Sequence, residues 1–228
     1  MLRILAHGDS SVALVCAMHP VVLNFWMATA QAPPPFDQAW EEQRRLIFRR
    51  VCEGAWWGTI ASEPGVGGDI SKTRATARRG SSDGTYLLTG QKNFGSGSGI
   101  TSYMITVAVP EGETAPDMFV LDIREAEWDG SAGVTLTAVW DGHGMAATQS
   151  HAFSFEEFPV MRMAWPGQFP RLAEAAGGLL YRGHRRCGGS RTRDGASAGG
   201  AASGRSPCLR ASGMGKGRTG RLVDPAGL

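Results

Sequence analysis

The chain has 228 residues, a net charge of +2, 42% hydrophobic residues and four cysteines. That length holds one or two domains with a sizeable core and needs no disulfide framework. The charge is unevenly spread, −6 over residues 1–167 and +8 over residues 168–228, which excludes a uniformly basic nucleic-acid binder.

Cys16, Cys52, Cys187 and Cys208 form no CxxC pair, and the five histidines show no HxxxH spacing. This argues against a metal site and for reduced thiols in a cytoplasmic protein.

Residues 10–30 are strongly apolar, and three readings compete. A signal peptide would explain Arg3 before the apolar run and Ala28-Thr29-Ala30 after it. A membrane span would have to bury Asp9, His19 and Asn24 and tolerate Pro20. A buried helix of a helical domain fits best, with Asp9 or Ser10 capping residues 11–18 and Pro20 bending or ending it. Pro33-Pro34-Pro35 then stops any helix.

Residues 36–52 read as an amphipathic helix. Trp40, Leu46, Ile47, Phe48 and Val51 fall near the 3.6 period. Glu41 and Glu42 lie toward its start and Arg44, Arg45, Arg49 and Arg50 toward its end, which suits the macrodipole. The arginines read as a solvated face rather than a nucleic-acid surface.

From residue 57 to about 158 the pattern changes to short strands with Gly, Asp and Ser punctuation. Strands are expected at 73–78, 85–89, 103–109, 118–123, 134–140 and 152–155. This spacing predicts an all-β barrel or sandwich of about 100 residues. Between them, Ser62-Glu63-Pro64-Gly65-Val66-Gly67-Gly68-Asp69 is a loop whose backbone can turn sharply and approach a ligand closely. Residues 171–180 read as a short helix.

Beyond residue 181, Gly, Arg, Ala and Ser dominate. Residues 168–228 hold 14 glycines and only 8 Leu, Ile, Val or Phe, under the roughly 20% that a packed core needs. A disordered tail is the expectation. Without RGG repeats or interleaved aromatics it does not read as an RNA-binding segment. An out-of-frame translation of a GC-rich gene would produce the same composition.

Three blocks resemble the acyl-CoA dehydrogenase family. Thr59-Ile60-Ala61-Ser62-Glu63-Pro64-Gly65-Val66-Gly67-Gly68-Asp69 is similar to its signature loop, [T/S]EPxxGSD. Gly84-Thr85-Tyr86-Leu87-Leu88-Thr89-Gly90-Gln91-Lys92 resembles its G-Y-x-L-N-G-x-K segment. Gly144-Met145 with Thr148 and Ser150, then Phe155-Glu156-Glu157-Phe158-Pro159-Val160, resembles the block that ends its barrel. The blocks stand in the family's order, best over residues 57–165.

The resemblance implies an α+β multidomain chain. Residues 1–56 would be a partial helical domain and residues 57–165 an antiparallel β-barrel, followed by a short helix and the Gly/Arg-rich tail. It implies FAD as cofactor, an acyl-CoA thioester as substrate, α,β-desaturation as reaction and an acceptor resembling electron-transfer flavoprotein. Nucleic acid and membrane are not expected partners.

Carried over by position, Thr59, Ile60, Ala61, Ser62, Gly67, Phe94, Gly95 and Ser96 would contact the flavin. Phe94 would pack on the ring and Ser96 would hydrogen-bond near N5. Glu63 reads as structural and His143 as an exposed turn residue. Gly68 stands where the family has a serine that contacts cofactor or acyl-CoA, Ala146 where it has an arginine, and Gly95 and Gly97 where it has bulkier residues, suggesting a divergent substrate or a looser pocket.

The family's catalytic base and its oligomer contacts come from a C-terminal helical bundle. Past Gly167 the only acidic residues are Glu174, Asp194 and Asp224, so no catalytic residue is assigned and the chain reads as truncated at both ends. A non-catalytic remnant and a flavin monooxygenase of the same superfamily are the alternatives.

Overall fold

The computed structural model describes residues 2–28, 31–66, 68–82 and 84–170. Gly67, the expected helix at 171–180 and the Gly/Arg-rich tail lie outside the described residues.

Three helices open the chain: α1 (Leu2–Gly8), α2 (Ser10–Met27) and α3 (Asp37–Cys52). Asp9 caps α2 by accepting the amides of Ser11 (2.6 Å) and Val12 (3.2 Å), two donors a helix start leaves without partners. The helix does not end at Pro20. It continues to Met27 because Val21, Val22, Leu23, Phe25 and Trp26 are all buried, and that burial outweighs the one intrahelical bond a proline removes. By length and composition α2 could cross a membrane, and 44% of that span is buried inside the protein.

Helix α3 buries Trp40, Gln43 and Ile47. Gln43 is a buried polar residue that periodicity did not single out. Its amide donates to the Arg162 carbonyl (3.0 Å) and accepts from the Ala164 N–H (3.0 Å), tying the helix to the end of the barrel. Glu41 pairs with Arg44 and Arg45, and Arg50 with Glu53, so three of the helix's arginines serve local surface pairs.

Seven strands follow: β1 (Trp57–Thr59), β2 (Thr76–Arg79), β3 (Thr85–Gly95), β4 (Tyr103–Pro110), β5 (Asp117–Asp122), β6 (Val134–Ala138) and β7 (His151–Arg162). Five close a ring in the order β4-β2-β3-β7-β5, with β5 returning to β4. The barrel is mixed rather than wholly antiparallel, since β4 runs parallel to both β1 and β2. Along that edge β1 pairs with 103–105 of β4 and β2 with 109–110. The two are thus successive pieces of one edge position, and residues 60–75 form an excursion between them. In the same way β6 pairs with β7 outside the ring.

Alternation along the strands fills two cores. Met104, Ala108, Phe119 and Leu121 point into the barrel with Ile60, Leu88, Phe155 and Phe158. Tyr103, Ile105, Val107, Met118 and Val120 point outward, where Val22, Trp26, Trp40 and Ile47 of the helices cover them with Trp57. Both faces of β4 are therefore buried, which explains why it is apolar throughout except for Thr106, whose hydroxyl donates to the Ile60 carbonyl.

Candidate functional site

The excursion of residues 60–75 is held by a buried ion pair. Glu63 accepts from the Lys92 ammonium (2.6 Å), the Thr73 hydroxyl and the amides of Arg74 (2.8 Å) and Ala75 (3.1 Å). Lys92 is fully buried and also donates to Thr73 Oγ1 (3.0 Å) and to the Val107 carbonyl (2.5 Å). Val107 lies in the stretch of β4 between the registers of β1 and β2, where no strand pairs with that edge. Lys92 satisfies the carbonyl that the missing strand would have paired.

Burial opposes charge on Glu63, but the hydrogen bonds from Lys92, Thr73 and Arg74 prevail and hold its pKa at about 2. Burial pulls Lys92 below the usual lysine value against the attraction of Glu63. The Glu63 of the glycine-rich loop is thus a structural anchor, as its motif position suggested.

That anchor fixes the neighbouring residues. Ser62 forms an isolated antiparallel bridge with Asn93, whose amide donates to the Ser62 carbonyl (2.8 Å). The loop therefore lies against the end of β3, where the chain turns through Phe94. Phe94 adopts φ +61°, uncommon for an aromatic residue. Its ring is 52% exposed and meets Trp140 edge to face at 5.8 Å.

Gly95 and Gly97 do not widen a pocket. A Cβ on Gly95 would meet Ile60 Cδ1 and Ser98 Oγ, both at 3.0 Å, and one on Gly97 would meet Val15 Cγ1 at 3.1 Å. The space beside each is already filled.

The turn at 94–99 docks on the segment 145–150. Gly97 donates its amide to the Thr148 carbonyl (2.7 Å), and the Gly99 amide donates to Gln149 Oε1 (3.1 Å). Beneath them runs a chain of hydroxyls: Ser96 Oγ to Ser150 Oγ (2.9 Å), Ser150 Oγ to Thr148 Oγ1 (2.7 Å), and Thr148 Oγ1 donating to the Met145 carbonyl (2.9 Å). Trp140 completes the wall. Its amide donates to His151 Nδ1 (3.0 Å) and its indole to the Met145 carbonyl (3.0 Å). A cleft of about 250 Å³ lies beside this turn, between Val12, Val15 and Cys16 of α2 and Ile100, Ala147 and Thr148.

The structure brings Ser62, Phe94, Gly95 and Ser96 together. Ile60 is fully buried in the barrel core, with its amide bonded to Ile105 and its carbonyl to Thr106 Oγ1. The Thr59 hydroxyl points to Met18 Sδ of α2 (3.8 Å), and Ala61 packs against the outer core. Gly68 is exposed at φ +83° with no atom within 4 Å of a Cβ position. His143 is exposed. Sequence reasoning did not assign Trp140, Thr148, Ser150 or Lys92 to the site. The Thr148 and Ser150 spacing, with one residue between them after a Gly-Met turn, was the available signal.

The class of fold is a closed mixed barrel with helices packed outside it and a glycine-rich excursion at one edge. Residues 58–158 match the family described as acyl-CoA dehydrogenase, middle domain. Among solved structures, FMN-bound TdsC from Paenibacillus sp. A11-2 is similar at 25% identity and a TM-score of 0.52, over 70% of this chain and 38% of that one. Indole-bound TdsC from the same organism is similar at 25% identity and a TM-score of 0.51, over 72% and 37%. An acyl-CoA dehydrogenase from Geobacillus kaustophilus gives 18% identity and a TM-score of 0.48, over 59% and 36%. The chain spans under two fifths of the length of these relatives. No curated protein matches it.

Proposed function

We propose that the barrel is the flavin-holding domain of an oxidoreductase of the acyl-CoA dehydrogenase type. The observation that carries this reading is the pairing of Ser62 with Asn93, which sets the glycine-rich loop beside the exposed ring of Phe94.

The residues fit a planar, polar-edged heterocycle. Phe94 offers an exposed aromatic face. The Ser62 hydroxyl has no hydrogen-bond partner among the described residues and is available to a ring edge. Ser96 stands behind Phe94 with its hydroxyl held by Ser150. The Glu63–Lys92 pair keeps the loop in place without taking part in chemistry. A bound flavin would supply acceptance of the β-hydride as the α-proton leaves an acyl thioester. FAD, an acyl-CoA substrate and an acceptor resembling electron-transfer flavoprotein complete this reading.

A second reading has specific support. The solved relative at 25% identity holds FMN, and another structure of it holds indole. An FMN-dependent enzyme acting on an aromatic substrate, a flavin monooxygenase among them, is the alternative.

Purified full-length protein titrated with FAD and FMN separately decides the first step. Saturable uptake of either flavin supports the proposal, and uptake of neither sinks it. Anaerobic bleaching of the bound flavin by acyl-CoA thioesters supports desaturation. No bleaching at any chain length, with perturbation of the flavin spectrum by indole, selects the second reading.

A further inference from the structure

The hydroxyl chain beneath the site has a direction. Thr148 Oγ1 donates to the Met145 carbonyl, and a hydroxyl has one proton to give. Ser150 must then be the donor to Thr148, and Ser96 the donor to Ser150. With its proton committed inward, Ser96 Oγ turns only lone pairs toward a ligand. Reversing the direction gives a hydrogen to the ligand but removes the Thr148 bond to Met145. That carbonyl also receives the Trp140 indole and the Thr148 amide, so the lost bond is worth less than a full one.

We infer that Ser150 and Thr148 are positioning residues that make Ser96 a hydrogen-bond acceptor, so that the site favours a ligand atom bearing a hydrogen. The inference rests on the flavin reading above. A flavin offers a lone pair at N5 when oxidised and an N–H there once it has taken up a hydride. The chain's direction therefore favours the reduced form. The bias is that of part of one neutral hydrogen bond, about two- to tenfold in relative affinity.

The test uses the full chain loaded with FMN. The ratio of its affinities for oxidised and reduced FMN is read from the midpoint potential by anaerobic dye equilibration. Ser150→Ala frees the Ser96 proton to meet oxidised FMN. The expected result is a two- to tenfold swing toward the oxidised form, a fall of up to about 30 mV for a two-electron couple. Thr148→Val removes the terminal link at nearly constant volume and is expected to move the potential in the same direction, and it decides the matter if Ser150→Ala does not fold. Structural damage alone would weaken both redox forms alike and leave the potential in place. An unchanged or raised potential in a folded, FMN-loaded variant overturns the inference while the flavin reading stands. Failure of the unaltered chain to bind FMN overturns both.

Discussion

Replacing Lys92 by Met probes the anchor of the glycine-rich loop. Methionine keeps most of the side-chain stem and removes the ammonium. Glu63 would retain the Thr73 hydroxyl and the amides of Arg74 and Ala75, with only the exposed Arg74 guanidinium nearby at 3.9 Å. Leaving one member of a buried pair without its partner costs about 3–5 kcal/mol. The depression of the Glu63 pKa from 4.5 to about 2 corresponds to about 3 kcal/mol at about 1.36 kcal/mol per unit.

The sign follows from linkage. A carboxylate with a depressed folded pKa contributes stability above pH 4.5 and loses it as the pH falls toward 2. Without Lys92, only the exposed Arg74 guanidinium offsets the burial of Glu63, and its pKa rises. The variant's deficit should then be largest at pH 7 and shrink near pH 4.5, where Glu63 takes up a proton. Urea unfolding of both proteins at the two pH values measures this. A deficit below about 1 kcal/mol at pH 7, or one equal at both pH values, would refute the buried-pair account.

Asp9→Ala should lower the urea midpoint through loss of the α2 cap. Gly90→Ala would place a Cβ 2.6 Å from Ala75 Cβ and 2.9 Å from its Cα, so a loss of at least about 2 kcal/mol is expected in the same assay. His19 and His151 each accept a backbone amide at Nδ1, from Trp57 and Trp140, and burial lowers both pKa values below 6.5. Their contribution is present above pH 6.5 and lost as the pH falls, so His19→Gln combined with His151→Gln should flatten the stability profile between pH 7 and 5. An unaltered slope there would show that neither histidine carries it.

The sequence made the order of elements legible because its strongest signals are local: the Asp9 cap, the period of Trp40 and Ile47, and the glycine-rich loop. Other features depend on distant partners. Lys92 falls in a segment that reads as a turn because Gly90 precedes it, yet β3 runs on to Gly95 past an irregularity at Leu88–Gly90. Its burial is intelligible only through Glu63, 29 residues away. Strand β7 extends to Arg162 rather than ending near residue 155, with Glu157 at φ +51° absorbing the break in alternation. Of the candidate site, the loop, Phe94 and Ser96 could be proposed from the sequence. The partners of that serine could not, since hydroxyl contacts leave no periodicity.

The closed ring of five strands and the two strands outside it divide the molecule's tolerance to change. Strand β1 leads into the loop carrying Ser62, and β6 leads into the segment carrying Trp140 and Thr148. Both are attached to the ring along one edge, so insertions or exchanges in them leave all five ring pairings intact. The end of β3 at Phe94 and Gly95, by contrast, belongs to a ring strand, and a change there disturbs its pairing with β7.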